Sequence, residues 1–112
     1  GELQKVVLAR AMAQEPTFLL LDEPTSNLDP KNQHEMLSNV RSLAQEHGMA
    51  VAIVIHDLNL ATRYCDKFLF LKEGMTYAFG GSETVTSETI EAVYDIKMDV
   101  VEHNDIKIIV PN

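Results

Sequence analysis

A chain of 112 residues is one domain or part of one, and with 46% hydrophobic residues it can build a core. The formal charge of −8 argues against broad binding to a phosphate backbone, which calls for a basic patch, so no nucleic-acid partner is expected. The lone Cys65 excludes an internal disulfide and a multi-cysteine zinc site, and the absence of any apolar run near 20 residues or of a charged-then-apolar leader predicts a soluble chain.

Residues 1–14 read as a helix, with Leu3, Val6, Val7, Arg10 and Met12 to Ala13 near helical spacing and Val7, Ala11 and Gln14 on an adjacent stripe. Glu15-Pro16 ends it, because proline disfavours helical geometry in the residue before it. Phe18-Leu19-Leu20-Leu21 then runs straight into Asp22-Glu23-Pro24. A continuous apolar run of that length suits a strand of a parallel sheet buried on both faces, and such strands carry ligand sites just beyond their carboxyl ends. Successive strand residues point to opposite sides, so Asp22 and Glu23 can take different tasks at one edge. A solvated acidic turn is the plainer alternative.

Thr25 to Pro30 is rich in turn formers, and Asp29-Pro30 is a good cap and first helical position. A helix is expected from about 30 to 47, with Met36, Leu37, Val40, Leu43 and Ala44 on one face and Gly48 as its stop. Residues 50–55 form a second β-branched strand, and His56-Asp57 stands at its end as Asp22-Glu23 stands at the end of the first. Two strands joined by a helix make the βαβ pattern of a parallel sheet, which brings both carboxyl ends to one edge and His56 near Glu23.

Asp57 is placed to cap a short helix reaching about Cys65, itself expected to be a buried small hydrophobe. Residues 68–71 read as a third strand, 72–75 as a turn and 76–79 as its hairpin partner, followed by a Gly80-Gly81-Ser82 loop. Ser87 is expected to cap a helix to Tyr94 with Ile90, Val93 and Tyr94 inward. Residues 98–102 and 106–110 look like a closing hairpin around His103-Asn104-Asp105.

Taken together, these motifs resemble the C-terminal half of an ATP-binding-cassette (ABC) ATPase domain. Gly1-Glu2-Leu3-Gln4-Lys5 looks like the tail of the LSGG-[QE] signature, Leu19 to Glu23 like the Walker B motif, Ser26-Asn27-Leu28-Asp29 like the D-loop, and His56 is placed like the switch-loop histidine. The Lys72-Glu73-Gly74 turn, the 91–96 segment and Ile109-Val110-Pro111 look like the iron-siderophore, haem and cobalamin importer branch. The resemblance implies an α/β fold, part of a P-loop NTPase core in residues 1–66, with antiparallel hairpins and a short helix in 67–112.

The resemblance also implies ATP and Mg²⁺ as ligands. Asp22 would hold Mg²⁺, Glu23 would serve as general base or water-orienting group, and His56 would contact the γ-phosphate. Asp29 would couple two sites across a dimer, and Gly1 and Glu2 would contribute to the partner's nucleotide site. The implied partners are transmembrane permease subunits, a second ATPase subunit and, indirectly, a substrate-binding protein, at the cytoplasmic face of a membrane. The 112 residues contain no Gly-x-x-x-x-Gly-Lys-[ST] phosphate cradle and no Q-loop, so they are not expected to hydrolyse ATP alone. A soluble ABC ATPase of DNA repair or translation, and a non-catalytic dimerisation module, are the alternative readings.

Overall fold

The computed structural model describes Arg10 and residues 17–112. The signature-like Gly1 and Glu2 lie outside the described residues, as does the helix expected over 1–14 except for Arg10, which is helical. Two compact units divide the chain, one ending at His56 and the other beginning at Asp57.

The first unit contains β1 (Phe18–Asp22), α1 (Pro30–His47) and β2 (Ala50–Val54). The strands pair in parallel in unbroken register, from Phe18 opposite Ala50 to Asp22 opposite Val54. The connecting helix starts where the sequence carries its signal. Asp29 is extended (φ −72°, ψ 167°) and its Oδ1 accepts the Asn32 N–H at 2.9 Å, while Pro30 supplies a helical φ where no N–H is needed. It stops at Gly48, whose φ of +60° is left-handed. A Cβ there would meet no atom within 4 Å, so glycine is required for its backbone conformation alone.

Met36 and Val40, one turn apart on α1, pack against Leu19 and Leu21 of β1 and Val51 and Ile53 of β2. Helical and strand periods thus converge on one face, where each fully buried aliphatic side chain contributes about 1.5–3 kcal/mol. The other face of β1 is uncovered within these 112 residues: Phe18 and Leu20 are 56% and 64% exposed. Helix α1 covers only the face that carries Leu19 and Leu21. Strand β2 also ends at Val54 rather than Ile55, because its last ladder carbonyl accepts from Glu23, where the neighbouring chain turns away.

The second unit holds α2 (Leu58–Tyr64), β3 (Phe68–Lys72), β4 (Met75–Gly80), a 3₁₀ turn (Ser82–Thr84), α3 (Ser87–Tyr94), β5 (Met98–His103) and β6 (Ile106–Pro111). Strands β3 and β4 form one antiparallel hairpin, β5 and β6 another. Each has a two-residue loop with both residues at positive φ, Glu73-Gly74 (53°, 76°) and Asn104-Asp105 (53°, 64°). That geometry matches the right-handed twist of the flanking strands. His103 therefore belongs to β5, paired with Ile106, and not to the turn. The core joins Phe70, Val85, Ile90 and Ile109, with Ile90 fully buried.

Several local expectations shift here. Gly80 closes β4 and Ser82 opens the 3₁₀ turn, so the expected loop shrinks to Gly81. Thr86, not Ser87, is the N-cap of α3; its hydroxyl oxygen accepts the Thr89 N–H at 3.1 Å. Tyr94 is 44% exposed because it is the last helical residue, where the chain turns off at the left-handed Asp95. The part of its ring that is covered still raises its hydroxyl pKa by desolvation. Cys65 is half-buried rather than buried, since it is the extended residue at which the chain leaves α2.

Helix α2 groups with the C-terminal hairpins and not with the βαβ segment. Leu58 packs on the core of this unit. The Asn59 side chain meets β6 in two directions: Nδ2 donates to the Ile109 carbonyl at 3.1 Å, and Oδ1 accepts the Ile109 N–H at 2.8 Å.

Candidate active-site edge

The site is built by the end of the parallel ladder. Because Asp22 stands opposite Val54, the residues just beyond both strands emerge at one edge. The Glu23 N–H donates to the Val54 carbonyl at 2.9 Å, one bond past the last strand residue of β1. Glu23 then takes φ +48°, a left-handed conformation that costs a side-chain-bearing residue energy and marks a constrained position. The loop folds back at once: Ser26 N–H donates to the Glu23 carbonyl at 3.1 Å and Leu28 N–H to the Thr25 carbonyl at 3.2 Å. Asn27, also left-handed at φ +68°, belongs to the residue types that tolerate this region.

The structure brings Glu23 and His56 together. The Glu23 Oε1 and His56 Nε2 atoms are paired, with side chains 43% and 78% exposed. An exposed pair of this kind adds at most about 1 kcal/mol to stability, so its geometry matters more than its energy. Asp22, the preceding strand residue, is exposed at the same end of β1. Asp29 stands at the far end of the loop with its carboxylate engaged as the α1 cap. His34, His47 and His103 are exposed and away from this edge in sequence and element.

One residue that steadies the loop from α1 carries no sequence signal. Gln33 Nε2 donates to the Thr25 carbonyl at 3.4 Å and braces the buried Thr25 between Glu23 and Asp29. A glutamine in the first turn of a helix reads as ordinary surface, and its partner is eight residues away.

Among the described residues no group of three or more His, Cys, Asp or Glu side chains could hold a metal by itself. The donor set fits Mg²⁺ none the less. That ion keeps several waters and is commonly bound by one or two carboxylates together with substrate phosphates, and Asp22 offers one exposed carboxylate beside Glu23.

A parallel strand pair with a helical crossover thus carries two carboxylates and a histidine at its carboxyl edge, where α/β folds commonly place ligand sites. Comparison with known proteins narrows the class. An uncharacterized ABC transporter ATP-binding protein of Methanocaldococcus jannaschii is 50% identical over 111 residues, 99% of this chain and 44% of the relative. The hemin import ATP-binding protein HmuV of Pseudomonas putida is 49% identical over 109 residues, 92% of this chain and 42% of that protein. Among solved structures, an inward-facing conformation of a metal-chelate type ABC transporter superimposes with a TM-score of 0.85 at 33% identity, covering 97% of this chain and 46% of that one. No protein-family model matches the chain. The chain belongs with the ATP-binding proteins of ABC transporters, and it spans less than half the length of the curated relatives it matches.

Proposed function

We propose that these residues are the C-terminal half of an ABC ATPase subunit that couples ATP hydrolysis to membrane transport, with an iron complex (haem or siderophore) or cobalamin as cargo. The observation that carries the reading is the Glu23–His56 pair beside Asp22 at the carboxyl edge of β1 and β2. Support for the cargo class comes from the hemin import relative and the metal-chelate type transporter. On this reading the subunit sits at the cytoplasmic face of a membrane. It works with permease subunits and a second ATPase subunit, and receives cargo indirectly from a substrate-binding protein.

Each side chain then has a task set by its position. Mg²⁺, when bound, neutralises charge on the β- and γ-phosphates, and Asp22 is the residue that would hold it through water. Glu23 orients the attacking water and takes its proton, a use open to a carboxylate fixed at the edge by its own backbone bond to Val54. The Glu23 pairing occupies one ring nitrogen of His56 and leaves the other to meet the γ-phosphate. Asp29 caps α1 and, from the same loop, couples the two subunits. Gly1 and Glu2 contribute to the partner subunit's nucleotide site. The phosphate cradle is not among these 112 residues, so the 112-residue polypeptide by itself should show no Mg²⁺-dependent ATP turnover.

In the full-length subunit, Glu23→Gln should cut the rate of ATP hydrolysis by about 10²- to 10⁴-fold with nucleotide binding retained, the range of a lost general base. His56→Ala should act in the same direction. Wild-type turnover in Glu23→Gln would remove Glu23 from the reaction. Uptake assays with the reconstituted transporter, offering haem, a ferric siderophore and cobalamin in turn, test the cargo; failure to move any of them while hydrolysis persists would refute the cargo class.

A further inference from the structure

Glu23 holds a left-handed backbone (φ +48°) without the freedom of glycine, and such a conformation persists only where the surrounding structure leaves the residue no alternative. Part of that restraint lies in the backbone. The Glu23 N–H is tied to the Val54 carbonyl, the Glu23 carbonyl accepts the Ser26 N–H at 3.1 Å, and the Thr25 carbonyl accepts the Leu28 N–H at 3.2 Å. The segment from Glu23 to Leu28 is thus two overlapping turns that share Thr25 and Ser26.

Side chains of the same unit supply the rest. Leu28 packs against Met36 and Val40 of α1, and Thr25 is buried. Gln33 holds the loop twice. Its backbone N–H donates to the Asp29 carbonyl at 2.9 Å, where the loop enters α1, and its Nε2 reaches back to the Thr25 carbonyl at 3.4 Å. The Thr25 oxygen has two lone pairs and so accepts from both Leu28 and Gln33. Backbone turns of this kind form with many sequences, whereas the second bond to Thr25 needs a side-chain donor of the right reach on the first turn of α1.

We propose that Gln33 is a positioning residue for Glu23. By fixing the carbonyl that links the two turns, it fixes the loop that holds Glu23 in its left-handed conformation, and α1 becomes part of the support of the catalytic edge. The inference rests on the reading of Glu23 as the group that orients the attacking water, and the test separates the two.

The experiment uses the full-length subunit carrying Gln33→Met, Gln33→Lys, Glu23→Gln, or Gln33→Met together with Glu23→Gln, with ATP turnover and amide hydrogen exchange measured on each. Methionine and lysine resemble glutamine in reach and in helix propensity, so α1 and its Asp29 cap are kept, and only lysine retains a donor for the Thr25 carbonyl. Gln33→Met should lower kcat by about ten-fold with KM for ATP unchanged, less than the roughly hundred-fold that an ångström of misplacement can cost, because the bond is long and the backbone turns remain. Gln33→Lys should restore turnover toward wild type. Wild-type turnover in Gln33→Met would overturn the proposal, as would a loss in Gln33→Lys equal to that in Gln33→Met.

Two further readouts separate positioning from a general loss of stability. In Gln33→Met the Ser26 and Leu28 amides should exchange at least about ten-fold faster, while those of Met36 and Val40 keep their protection. Unchanged exchange at Ser26 and Leu28, or an equal loss along α1, would overturn the proposal. In the Glu23→Gln background, Gln33→Met should change the residual turnover by less than about two-fold, because the residue through which it acts is already disabled. An equal loss in both backgrounds would show a general structural role and overturn it. Should Glu23→Gln itself leave turnover unchanged, the reading of Glu23 fails. Should Glu23→Gln abolish turnover while Gln33→Met leaves it intact, only the positioning role fails.

Discussion

Asp29 carries two roles that a pair of substitutions can pull apart. Its Oδ1 satisfies the Asn32 N–H, one of four first-turn amides of α1 that have no helical partner. Alanine removes that acceptor and should cost about 1 kcal/mol, within a range of about 0.5–2. Asparagine retains an oxygen at the same reach and ranks beside aspartate as a cap, so Asp29→Asn should lose only the attraction between a charge and the helix N-terminus, about 0.3–1 kcal/mol when exposed. For a subunit of about 150–250 residues, 1 kcal/mol moves Tm by about 2–4 °C. Scanning calorimetry at low and high salt should therefore rank wild type, then Asn, then Ala, with the wild type–Asn gap closing in salt and the Asn–Ala gap persisting. Turnover provides the second axis. If the carboxylate also couples two subunits, Asp29→Asn should impair cooperative hydrolysis far more than its small Tm shift accounts for. Equal Tm values for Asn and Ala would refute the hydrogen-bonded cap as the source of stability. Wild-type cooperativity in Asp29→Asn would leave Asp29 as a cap alone.

Two further outcomes follow from the second unit. Ile90→Ala, at a fully buried position among Phe70, Val85 and Ile109, should destabilise by about 2–5 kcal/mol and Ile90→Val by about 0.5–1.5, read from denaturant midpoints; equal costs for the two would show that the site collapses around the deletion. Glu83 has its carboxyl pKa lowered, first by its own backbone N–H and next by that of Gly81, which donates to Oε1 at 2.9 Å; desolvation opposes this, and the charges of Lys67 and Lys107 add smaller effects in the lowering direction. A depressed folded-state pKa stabilises above the ordinary carboxylate value, and that stabilisation is lost as pH falls through the folded pKa. Wild type should therefore exceed Glu83→Gln in thermal stability near neutral pH and converge with it in acid, once pH has fallen through the lowered folded-state pKa; a gap that persists there would rule out the ionised carboxylate as its source.

Where the chain signals a structure through neighbours in sequence, the reading succeeds. Helix α1 runs from Pro30 to His47 as Asp29-Pro30 and Gly48 require, because caps act within one turn. The site edge was also legible: two strands each ending in polar residues, joined by a helix, must bring Glu23 and His56 to one side. The cap of α3 was not settled in the same way. Thr86 and Ser87 are adjacent hydroxyl residues, each chemically able to cap, and in the structure it is Thr86 that accepts the Thr89 N–H.

Contacts between distant residues lay beyond local reading. Asn59 and Ile109 are fifty positions apart, and nothing in a seven-residue helix announces that its second residue will serve as a strand partner. Likewise, hydrophobicity alone made Leu20 and Leu21 equivalent, yet α1 covers the face of Leu21 and leaves Leu20 exposed. The sequence by itself determined which residues could cap, turn, pair and carry charge, since those capacities reside in a side chain and its nearest neighbours. Only the tertiary structure decided which apolar faces are covered, which of two adjacent hydroxyls caps, and what anchors the helix after His56, because each of these depends on surfaces that meet only when distant segments pack.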